Sequence, residues 1–575
     1  MLVVALLAFI VGAIVGAPGG SSPALTLADG FVRAWTRGDY AAMYADLDGP
    51  SRRALSADEF AAQLREALTT ATAVGARVAG AARGQRGGLV AVPVRVGTRL
   101  FGRLSLQYVL RVGEAGAEGE RVAWSRSSAF PGLQPGEVLS RRTTLPQRAD
   151  ILARDGSVLA EGPAGAAEAP AGETTRDSPL GDVAGSVLGT VGPVPAARRQ
   201  ALEAHGVPAN GLVGLSGLEL ALDERLRGTP GGELLAGTHV LAAALPVAAK
   251  PVRTSISPLL QRAAVEALGG QLGGIVAMVP STGQILAVAG LGLDGLQPPG
   301  STFKMITVTG VLSARIAGLH TVFPYATYAT LDGVKLNNAN GEECGGTLEL
   351  AFAVSCNSVF TPLGVKLGAS RLVATAEAYG FNHETGIAGA AESTLPPASE
   401  IQGELDIGST AIGQGEVLAS PLQMLTVAAT IADGGRRPRA TFLYGGRPAF
   451  AATASSAHVA RLVRHLMVGV VREGTGVAAA IPGVTVAGKT GTAELKSACT
   501  TPSTSSEGAG TEGASKESCP SESEASNTDA WFAAFAPALN PQIAVCVLMV
   551  KDGAGGTTAA PVARQVLEAA LAAHL

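Results

Sequence analysis

A serine and a lysine three residues apart, Ser301 and Lys304, are the first candidates for chemistry. Ser301-Thr-Phe-Lys304 is the one S-x-x-K sequence in the chain, and it opens an apolar helical pattern after Pro299-Gly300. The i, i+3 spacing places both side chains on one helix face, with Ser301 at the positive end of the helix dipole. Burial near a second cation would lower the pKa of Lys304 towards the range of a general base. S-x-x-K alone is more often a serine N-cap followed by a lysine that reaches solvent.

A second short motif, Ser355-Cys-Asn357, follows an apolar segment. In a turn, the side chains of residues i and i+2 can both point into a cleft. Ser355 would then pass protons, and Asn357 would hold a substrate amide. The S-x-N spacing carries little information by itself.

A third motif, Lys489-Thr-Gly-Thr492, lies on the strand pattern VTVAGKTGTA. Gly491 would let a substrate backbone approach an edge strand, and the hydroxyls of Thr490 and Thr492 can bind a carboxylate. Lys489 would supply the second positive charge beside Ser301. Alone, K-T-G would indicate a solvated lysine at the end of a strand, so the hypothesis depends on finding all three motifs in this order.

Competing motifs lack the structural context that they need. Gly290 to Gly295 satisfies G-x-G-x-x-G but runs into prolines instead of a helix, and Gly483 to Thr490 satisfies the phosphate-loop pattern with the strand-forming residues VTVA in its middle. The chain contains no G-x-S-x-G. Its 7 histidines show no spacing suited to zinc, so the sequence predicts neither a metal nor a cofactor.

The elements around the motifs predict the scaffold that positions them. Two apolar strands, GGIVAMVP and GQILAVAG, precede a long helical region that begins at Ser301. Three strand patterns, Val484 to Thr492, Ala530 to Ala536 and Ile543 to Val550, and a final helix follow. This order predicts a five-stranded antiparallel sheet flanked by helices.

The N-terminal half predicts two smaller units. Helical patterns broken at Gly38-Asp39, a capping box at Ser56 to Glu59 and alternating strands from Gly88 to Val112 indicate an α+β unit. Glu161 to Ala249 is punctuated by Gly and Pro and shows no strong period, which indicates a small irregular domain.

Composition limits the class of protein. A chain of 575 residues predicts two to four domains, and 47% hydrophobic residues are enough for large cores. A net charge of -4 gives no basic excess with which to neutralise phosphates, so we predict no nucleic-acid partner.

Residues Met1 to Ala17 are uninterruptedly apolar. This length is at the lower limit for a membrane span and also within the range of a signal peptide. No Lys or Arg precedes the run, which suggests that translation starts upstream. We expect an uncleaved membrane anchor within residues 1–20, with the remainder outside the cytoplasm.

The chain has 5 cysteines, and the first is Cys344. Cys499 and Cys519 flank a polar stretch whose composition predicts an exposed insertion. We predict a disulfide between them, which would stabilise the folded state by about 3 kcal/mol on the chain-entropy model. A pairing of Cys344 with Cys356 is less favoured because Cys356 lies inside the S-x-N motif. Cys546, in the apolar pattern IAVCVLMV, is expected to be a buried small hydrophobe.

The ordered triplet S-x-x-K, S-x-N and K-T-G resembles the serine penicillin-recognising enzymes, in particular class B penicillin-binding proteins, which are peptidoglycan D,D-transpeptidases. Further stretches resemble this family: Leu296 to Lys304, Ile412-Gly-Gln-Gly415, Ser420-Pro-Leu-Gln423, Glu473-Gly-Thr-Gly476 and Asp529-Ala-Trp-Phe532. Upstream, Arg148 to Ala160 is similar to a pattern of this family, with Ala149 and Ala153 where the family has Gly and Asp.

The resemblance implies a role for each site residue. Ser301 would attack the penultimate D-Ala carbonyl of a stem peptide while Lys304 takes its proton. The backbone N–H groups of Ser301 and Thr492 would form the oxyanion hole. Ser355, tuned by both lysines, would protonate the departing D-Ala. β-Lactams would acylate the same serine, and a glycan polymerase is an expected partner.

The resemblance also implies the domain layout. The expected segments are a membrane anchor at 1–20, a nuclear-transport-factor-2-like α+β domain at 22–130, a pedestal or dimerisation domain at 131–250 and the α/β transpeptidase domain at 251–575. Two alternatives remain: a D,D-carboxypeptidase or β-lactamase that transfers the acyl group to water, and a non-catalytic sensor or scaffold. No glutamate motif of the class A β-lactamase kind follows Asn357, which disfavours a β-lactamase.

Overall fold

A computed structural model describes residues 22–114, 119–162, 174–494 and 527–573. The expected anchor and the predicted Cys499–Cys519 disulfide lie outside the described residues. Within those ranges, no helix has both the length and the apolar character needed to cross a bilayer.

The described residues form α-helices, β-strands and a few short 3-10 turns. The helices are α1 Pro23–Arg37, α2 Tyr40–Ala45, α3 Gly49–Ala54, α4 Ala57–Thr70, α5 Asp182–Leu188, α6 Ala196–Ala204, α7 Gly217–Ala221, α8 Asp223–Leu226, α9 Pro258–Leu268, α10 Lys304–Ser313, α11 Leu348–Ala353, α12 Asn357–Leu367, α13 Ala369–Tyr379, α14 Gly403–Ala411, α15 Pro421–Ala432, α16 Ala457–Glu473 and α17 Ala559–Ala572. The strands are β1 Ala73–Val78, β2 Arg83–Gln85, β3 Leu89–Thr98, β4 Arg103–Glu114, β5 Glu120–Ala123, β6 Leu139–Thr144, β7 Ile151–Leu152, β8 Val158–Ala160, β9 Val191–Pro193, β10 Leu212–Gly214, β11 Gly231–Ala236, β12 His239–Ala244, β13 Val252–Arg253, β14 Gly273–Val279, β15 Gln284–Gly290, β16 Val322–Ala326, β17 Tyr328–Leu331, β18 Val334–Asn337, β19 Cys344–Thr347, β20 Arg436–Pro438, β21 Phe450–Thr453, β22 Ala487–Glu494, β23 Thr528–Ala536 and β24 Ile543–Met549.

The first compact unit comprises Met1–Gln147, Pro193–Gly211 and Gly228–Ala248. Helix α1 buries Phe31 and Trp35 on one face, and these side chains share an apolar core with the antiparallel sheet β1-β3-β4-β5, on which β2 also pairs with β3. The break between α1 and α2 and the Ser56–Glu59 capping box of α4 are both as the sequence predicts. A three-stranded sheet β12-β11-β6 belongs to the same unit.

The second unit comprises Arg148–Gly192, Leu212–Arg227 and Ala249–Leu575. Its upstream part contains a buried ion-pair network that the sequence analysis does not predict. The Arg148 guanidinium lies 2.6 Å from Glu219 and 2.8 Å from Asp223. Arg176 contacts the other Glu219 oxygen at 2.7 Å, and Arg227 contacts Asp223 at 2.6 Å.

The two alanines at which the sequence departs from the pattern that it resembles, Ala149 and Ala153, lie in the same upstream part of the second unit. Ala149 and Ala153 are buried, and their backbone N–H groups donate to Leu226 and Ser157. Both alanines are therefore accommodated in a packed core.

The five-stranded antiparallel sheet of the second unit has the order β15-β14-β24-β23-β22, and its five strands are those that the sequence predicts. Alternate side chains enter two different cores, so that Val276 and Met278 face one and Ile275 and Ala277 face the other. Helix α15 packs against β14, β23 and β24, and α17 packs against β23 and β24. Burial on both faces explains why the sequences of these strands are continuous runs of apolar residues. Strand β22, which carries K-T-G, is an edge strand.

Candidate active site

Ser301 lies on a 3-10 turn, Gly300–Phe303, and α10 begins at Lys304. Ser301 therefore lies on the turn that leads directly into α10, at the start of the helical segment but before its α-helical part. Gly300 adopts φ +50, and the Thr302 hydroxyl donates to the Pro299 carbonyl at 2.6 Å, which together favour the tighter turn. Residues i and i+3 eclipse one another in a 3-10 helix, so Ser301 and Lys304 still leave the turn on the same side.

Glycines let the Ser301 turn lie against its neighbours. The Gly300 N–H donates to the Gly413 carbonyl at 3.0 Å. A Cβ on Gly413 would lie 2.2 Å from the Gly300 carbonyl oxygen, and a Cβ on Gly491 would lie 2.7 Å from the Pro299 carbonyl oxygen. The turn is thus in direct contact with the K-T-G strand and with the Ile412-Gly-Gln-Gly415 segment.

The Lys304 amine is completely buried and lies among oxygen atoms of the S-x-N motif. Its Nζ donates to the Ser355 carbonyl at 2.6 Å and to Asn357 Oδ1 at 2.6 Å, and Ser355 Oγ lies 3.3 Å away. The ring of Phe360 is 5.6 Å from the same nitrogen.

The Lys489 amine approaches the same serine from β22. It is completely buried, and its Nζ donates to Ser355 Oγ at 2.8 Å and to the Thr490 carbonyl at 3.0 Å. The structure thus brings both lysines to one hydroxyl, although they are 185 positions apart in the sequence.

Burial depresses the pKa of both lysines. Desolvation, reinforced by the nearby Lys489 cation, holds the pKa of Lys304 well below its usual range. Desolvation lowers the pKa of Lys489 to about 7. Both effects shift the Lys304 amine towards its neutral form.

Ser355 occupies the left-handed region of backbone conformation, with φ +60. Such a conformation in a non-glycine residue costs roughly 1 kcal/mol or more, and it persists only where the surroundings fix it. Asn357 begins α12, and its Nδ2 donates to the Asn337 carbonyl at 2.8 Å. Both Asn357 polar atoms thus have protein partners in this state.

Two residues at the K-T-G strand were not singled out from the sequence. Thr475 Oγ1 lies 2.6 Å from Thr490 Oγ1, and the Thr475 N–H donates to the Ala353 carbonyl at 3.0 Å. The Gly555 N–H donates to Thr492 Oγ1 at 3.3 Å, which leaves the Thr492 hydroxyl proton free to point elsewhere. Glu473-Gly-Thr-Gly476 was the one sequence signal that could have identified Thr475.

The disulfide expectation is corrected in part. Cys344 and Cys356 are bonded to each other, 12 residues apart, although the sequence reading disfavoured this pair. The two cysteines meet because β19, which begins at Cys344, and the turn after α11 lie side by side, an arrangement that spacing alone does not reveal. Cys546 is a buried free thiol, as predicted, and burial raises its pKa.

Taken together, the motifs form one cluster. Lys304, Ser355, Asn357 and Lys489 are joined by hydrogen bonds, and Ser301 occupies the turn directly before Lys304, against the K-T-G strand. Ser355 Oγ lies beside two amines of lowered pKa, which suits it to proton relay, whereas among the described residues Ser301 Oγ makes no hydrogen bond to either lysine. Among the residues that the structure describes, no group of three or more His, Cys, Asp or Glu side chains is arranged to hold a metal ion.

Comparison with known proteins agrees with this arrangement. Residues 273–568 match the penicillin-binding protein transpeptidase domain, and residues 170–238 match the penicillin-binding protein dimerisation domain. The chain is 34% identical over 387 residues to the peptidoglycan D,D-transpeptidase PbpA of Mycobacterium tuberculosis, covering 56% of this chain and 72% of that protein.

Two further similarities extend the comparison. The chain is 27% identical to the peptidoglycan D,D-transpeptidase MrdA of Acinetobacter baumannii over 69% of this chain and 66% of that one. The structure of the penicillin G acyl-enzyme complex of M. tuberculosis penicillin-binding protein A superimposes with a TM-score of 0.55 and 28% identity, over 74% of this chain and 99% of that one.

The fold and the site define a multidomain protein with a dimerisation domain and a transpeptidase domain rich in antiparallel sheet. The chain belongs to the penicillin-binding protein transpeptidases, and within them to class B.

Proposed function

We propose that this protein is a peptidoglycan D,D-transpeptidase that cross-links stem peptides through an acyl-enzyme on Ser301. The observation that carries the proposal is the convergence of the Lys304 and Lys489 amines on Ser355 Oγ, beside the turn that bears Ser301. Family membership supports the same reaction.

In the acylation step, Ser301 Oγ attacks the carbonyl carbon of the penultimate D-Ala, and its proton passes to the neutral Lys304 amine. The oxyanion that forms accepts hydrogen bonds from the N–H groups of Ser301 and Thr492, of which one donor is typically worth about 3 kcal/mol. Ser355 donates its proton to the departing D-Ala nitrogen as the C–N bond breaks, and the Lys304 ammonium restores the Ser355 proton.

In the transfer step, the amine of an acceptor stem peptide attacks the Ser301 ester. The ester C–O bond breaks, a new amide bond forms, and the proton lost by the amine returns to Ser301. Gly491 and the hydroxyls of Thr490 and Thr492 bind the donor backbone and carboxylate, which the position of β22 at the edge of the sheet supports. Asn357 holds a donor amide, which requires its bond to Asn337 to be exchanged.

β-Lactams acylate Ser301 in the same way and leave slowly. The penicillin G acyl-enzyme formed by a structural relative supports this proposal.

We further propose the domain layout of residues 1–20 as a single-pass anchor, 22–130 as a nuclear-transport-factor-2-like domain, 131–250 as the pedestal and 251–575 as the transpeptidase. The helices and the antiparallel sheet of the first unit support the nuclear-transport-factor-2-like assignment, and the apolar run Met1 to Ala17 supports the anchor. The catalytic domain then lies outside the cytoplasm, where a membrane-bound glycan polymerase is the expected partner.

A fluorescent penicillin tests the nucleophile. We expect it to label the full-length chain at Ser301 and to leave the Ser301→Ala variant unlabelled. Labelling that survives this substitution would refute the assignment. Release of D-Ala from a donor peptide, measured with and without an acceptor amine, separates a transferase from a D,D-carboxypeptidase, and absence of release with normal labelling would indicate a sensor.

A further inference from the structure

The first turn of α12, which carries Asn357, is capped by a side chain from another segment. The N-cap residue of α12 is Cys356, whose sulfur is bonded to Cys344 and whose side chain makes no capping bond. The Ser358 N–H donates instead to Asn338 Oδ1 at 2.8 Å. Asn338 thus performs the role of an N-cap for a helix to which it does not belong.

Asn338 is itself held in place. It is 5% exposed, and its Nδ2 donates to the Ala326 carbonyl at 2.7 Å and to the Glu342 carbonyl at 2.8 Å. Ser358 Oγ lies 3.2 Å from the same nitrogen. A buried amide with all its hydrogen-bonding groups used is costly to replace, because each partner would be left unpaired.

The disulfide converges on the same point. Cys344 on β19 pairs with Ala326 on β16, the residue whose carbonyl accepts from Asn338. The disulfide then links Cys344 to Cys356, which lies between Ser355 and Asn357. The Asn338 cap and the disulfide therefore attach the S-x-N motif to one small region of the hairpin that runs from β16 to β19.

This attachment matters because Ser355 is in a strained conformation. Its φ of +60 must be maintained by its neighbours, and Ser355 must keep Oγ within hydrogen-bonding reach of two lysines. A shift of about 1 Å in such a site can cost about 10²-fold in rate.

We propose that Asn338 and the Cys344–Cys356 disulfide form a clamp that positions Ser355 and Asn357 for acyl transfer. Neither Asn338 nor the disulfide touches the reacting atoms, so these are positioning residues. The inference rests on the proposed function, since its readout is the acylation of Ser301.

The test measures two quantities on the full-length chain with a fluorescent penicillin: the first-order acylation rate at saturating probe, and the final fraction of chain labelled. In Asn338→Ala and in the double variant Cys344→Ala/Cys356→Ala, we expect the rate to fall about tenfold or more while the labelled fraction is retained. Asn338→Asp keeps an oxygen that accepts from the Ser358 N–H but loses the Nδ2 group that donates to the Ala326 and Glu342 carbonyls. We therefore expect acylation of Ser301 to slow in this variant as well. Asn540→Ala, at an exposed asparagine between β23 and β24, should acylate like the wild type.

Rates within twofold of the wild type in Asn338→Ala and in the double cysteine variant would overturn the clamp. So would loss of the labelled fraction in both, because the residues would then serve only the fold of the domain. Failure of the wild-type chain to be labelled at all would instead reject the proposed function, so the two failures are distinguishable.

Discussion

Both N–H bonds of a neutral Lys304 amine are directed at carbonyl oxygens, one on Ser355 and one on Asn357, each at 2.6 Å. With those two N–H bonds used, a neutral amine keeps its lone pair to accept a proton from a hydroxyl group, and Ser355 Oγ lies 3.3 Å from the same nitrogen. Burial makes this neutral form accessible by lowering the pKa of Lys304, and the cation at Lys489 lowers it further. The second lysine thus has an electrostatic effect on the first in addition to its bond to Ser355.

This reasoning predicts a pH effect for Lys489→Gln. Acylation falls as pH decreases through the pKa of Lys304, because the ammonium has no lone pair with which to take the Ser301 proton. Removing the Lys489 charge raises that pKa, so the acid limb of the rate profile should move to higher pH. The rate at its maximum should also fall, by about 10²-fold.

The measurement is the second-order acylation rate across the pH range in which the chain stays folded. Lys366→Gln, at an exposed lysine of α12, is the matched control and should reproduce the wild-type profile. An acid limb that stays in place or moves to lower pH in Lys489→Gln would contradict the electrostatic role.

At the scale of elements, the turn that carries Ser301 is held by close contact between backbones. Gly413 and Gly415 both adopt φ +73, so alanine would be equally strained at either position. Their surroundings differ, because a Cβ on Gly413 would lie 2.2 Å from the Gly300 carbonyl oxygen, whereas on Gly415 the nearest atom would be 3.9 Å away.

Gly413→Ala should therefore displace the 3-10 turn and reduce acylation of Ser301 by about 10²-fold, the effect expected of a small misplacement of the nucleophile. Gly415→Ala carries the same backbone strain and should keep most of the wild-type rate. Both variants are compared by acylation rate and by thermal midpoint. Equal losses of acylation in the two would show that backbone strain, and not the position of Ser301, is responsible.

The elements that could be predicted from sequence are those specified by local chemistry. Ser56 and Glu59 define the start of α4 by their reciprocal hydrogen bonds, and continuous apolar runs identify the central strands. The site motifs were found because their order in the chain resembles a known family.

What could not be predicted depends on long-range contacts. The 3-10 turn at Ser301 depends on Gly413, more than 100 positions away, and the cap on α12 comes from Asn338 in another hairpin. The Cys344–Cys356 disulfide forms because β19 lies beside the turn that follows α11. None of these contacts has a sequence period or a spacing that signals it.

At the scale of the whole molecule, the second unit is assembled from segments that the first unit interrupts in sequence. Glu219 has a central place in this assembly, since one of its oxygens contacts Arg148 and the other contacts Arg176. Its side chain is 1% exposed, so removing its charge would leave two buried guanidinium groups without adequate compensation.

Glu219→Gln keeps the shape of the side chain and removes only the charge. We expect it to lower the free energy of unfolding of the second unit by about 3–5 kcal/mol, the usual effect of breaking a buried ion pair from one side. The ion pairs join residues between 148 and 227, upstream of every site motif, so the fraction that remains folded should acylate Ser301 at the wild-type rate. Urea titration measures the free energy of unfolding, and labelling with a fluorescent penicillin measures the rate at which Ser301 is acylated.

The control is Glu568→Gln, which breaks the exposed Arg564–Glu568 ion pair and should lower the free energy of unfolding by less than about 1 kcal/mol. If Glu219→Gln were no more destabilising than Glu568→Gln, the network would be a consequence of the fold and not one of the interactions that hold it together.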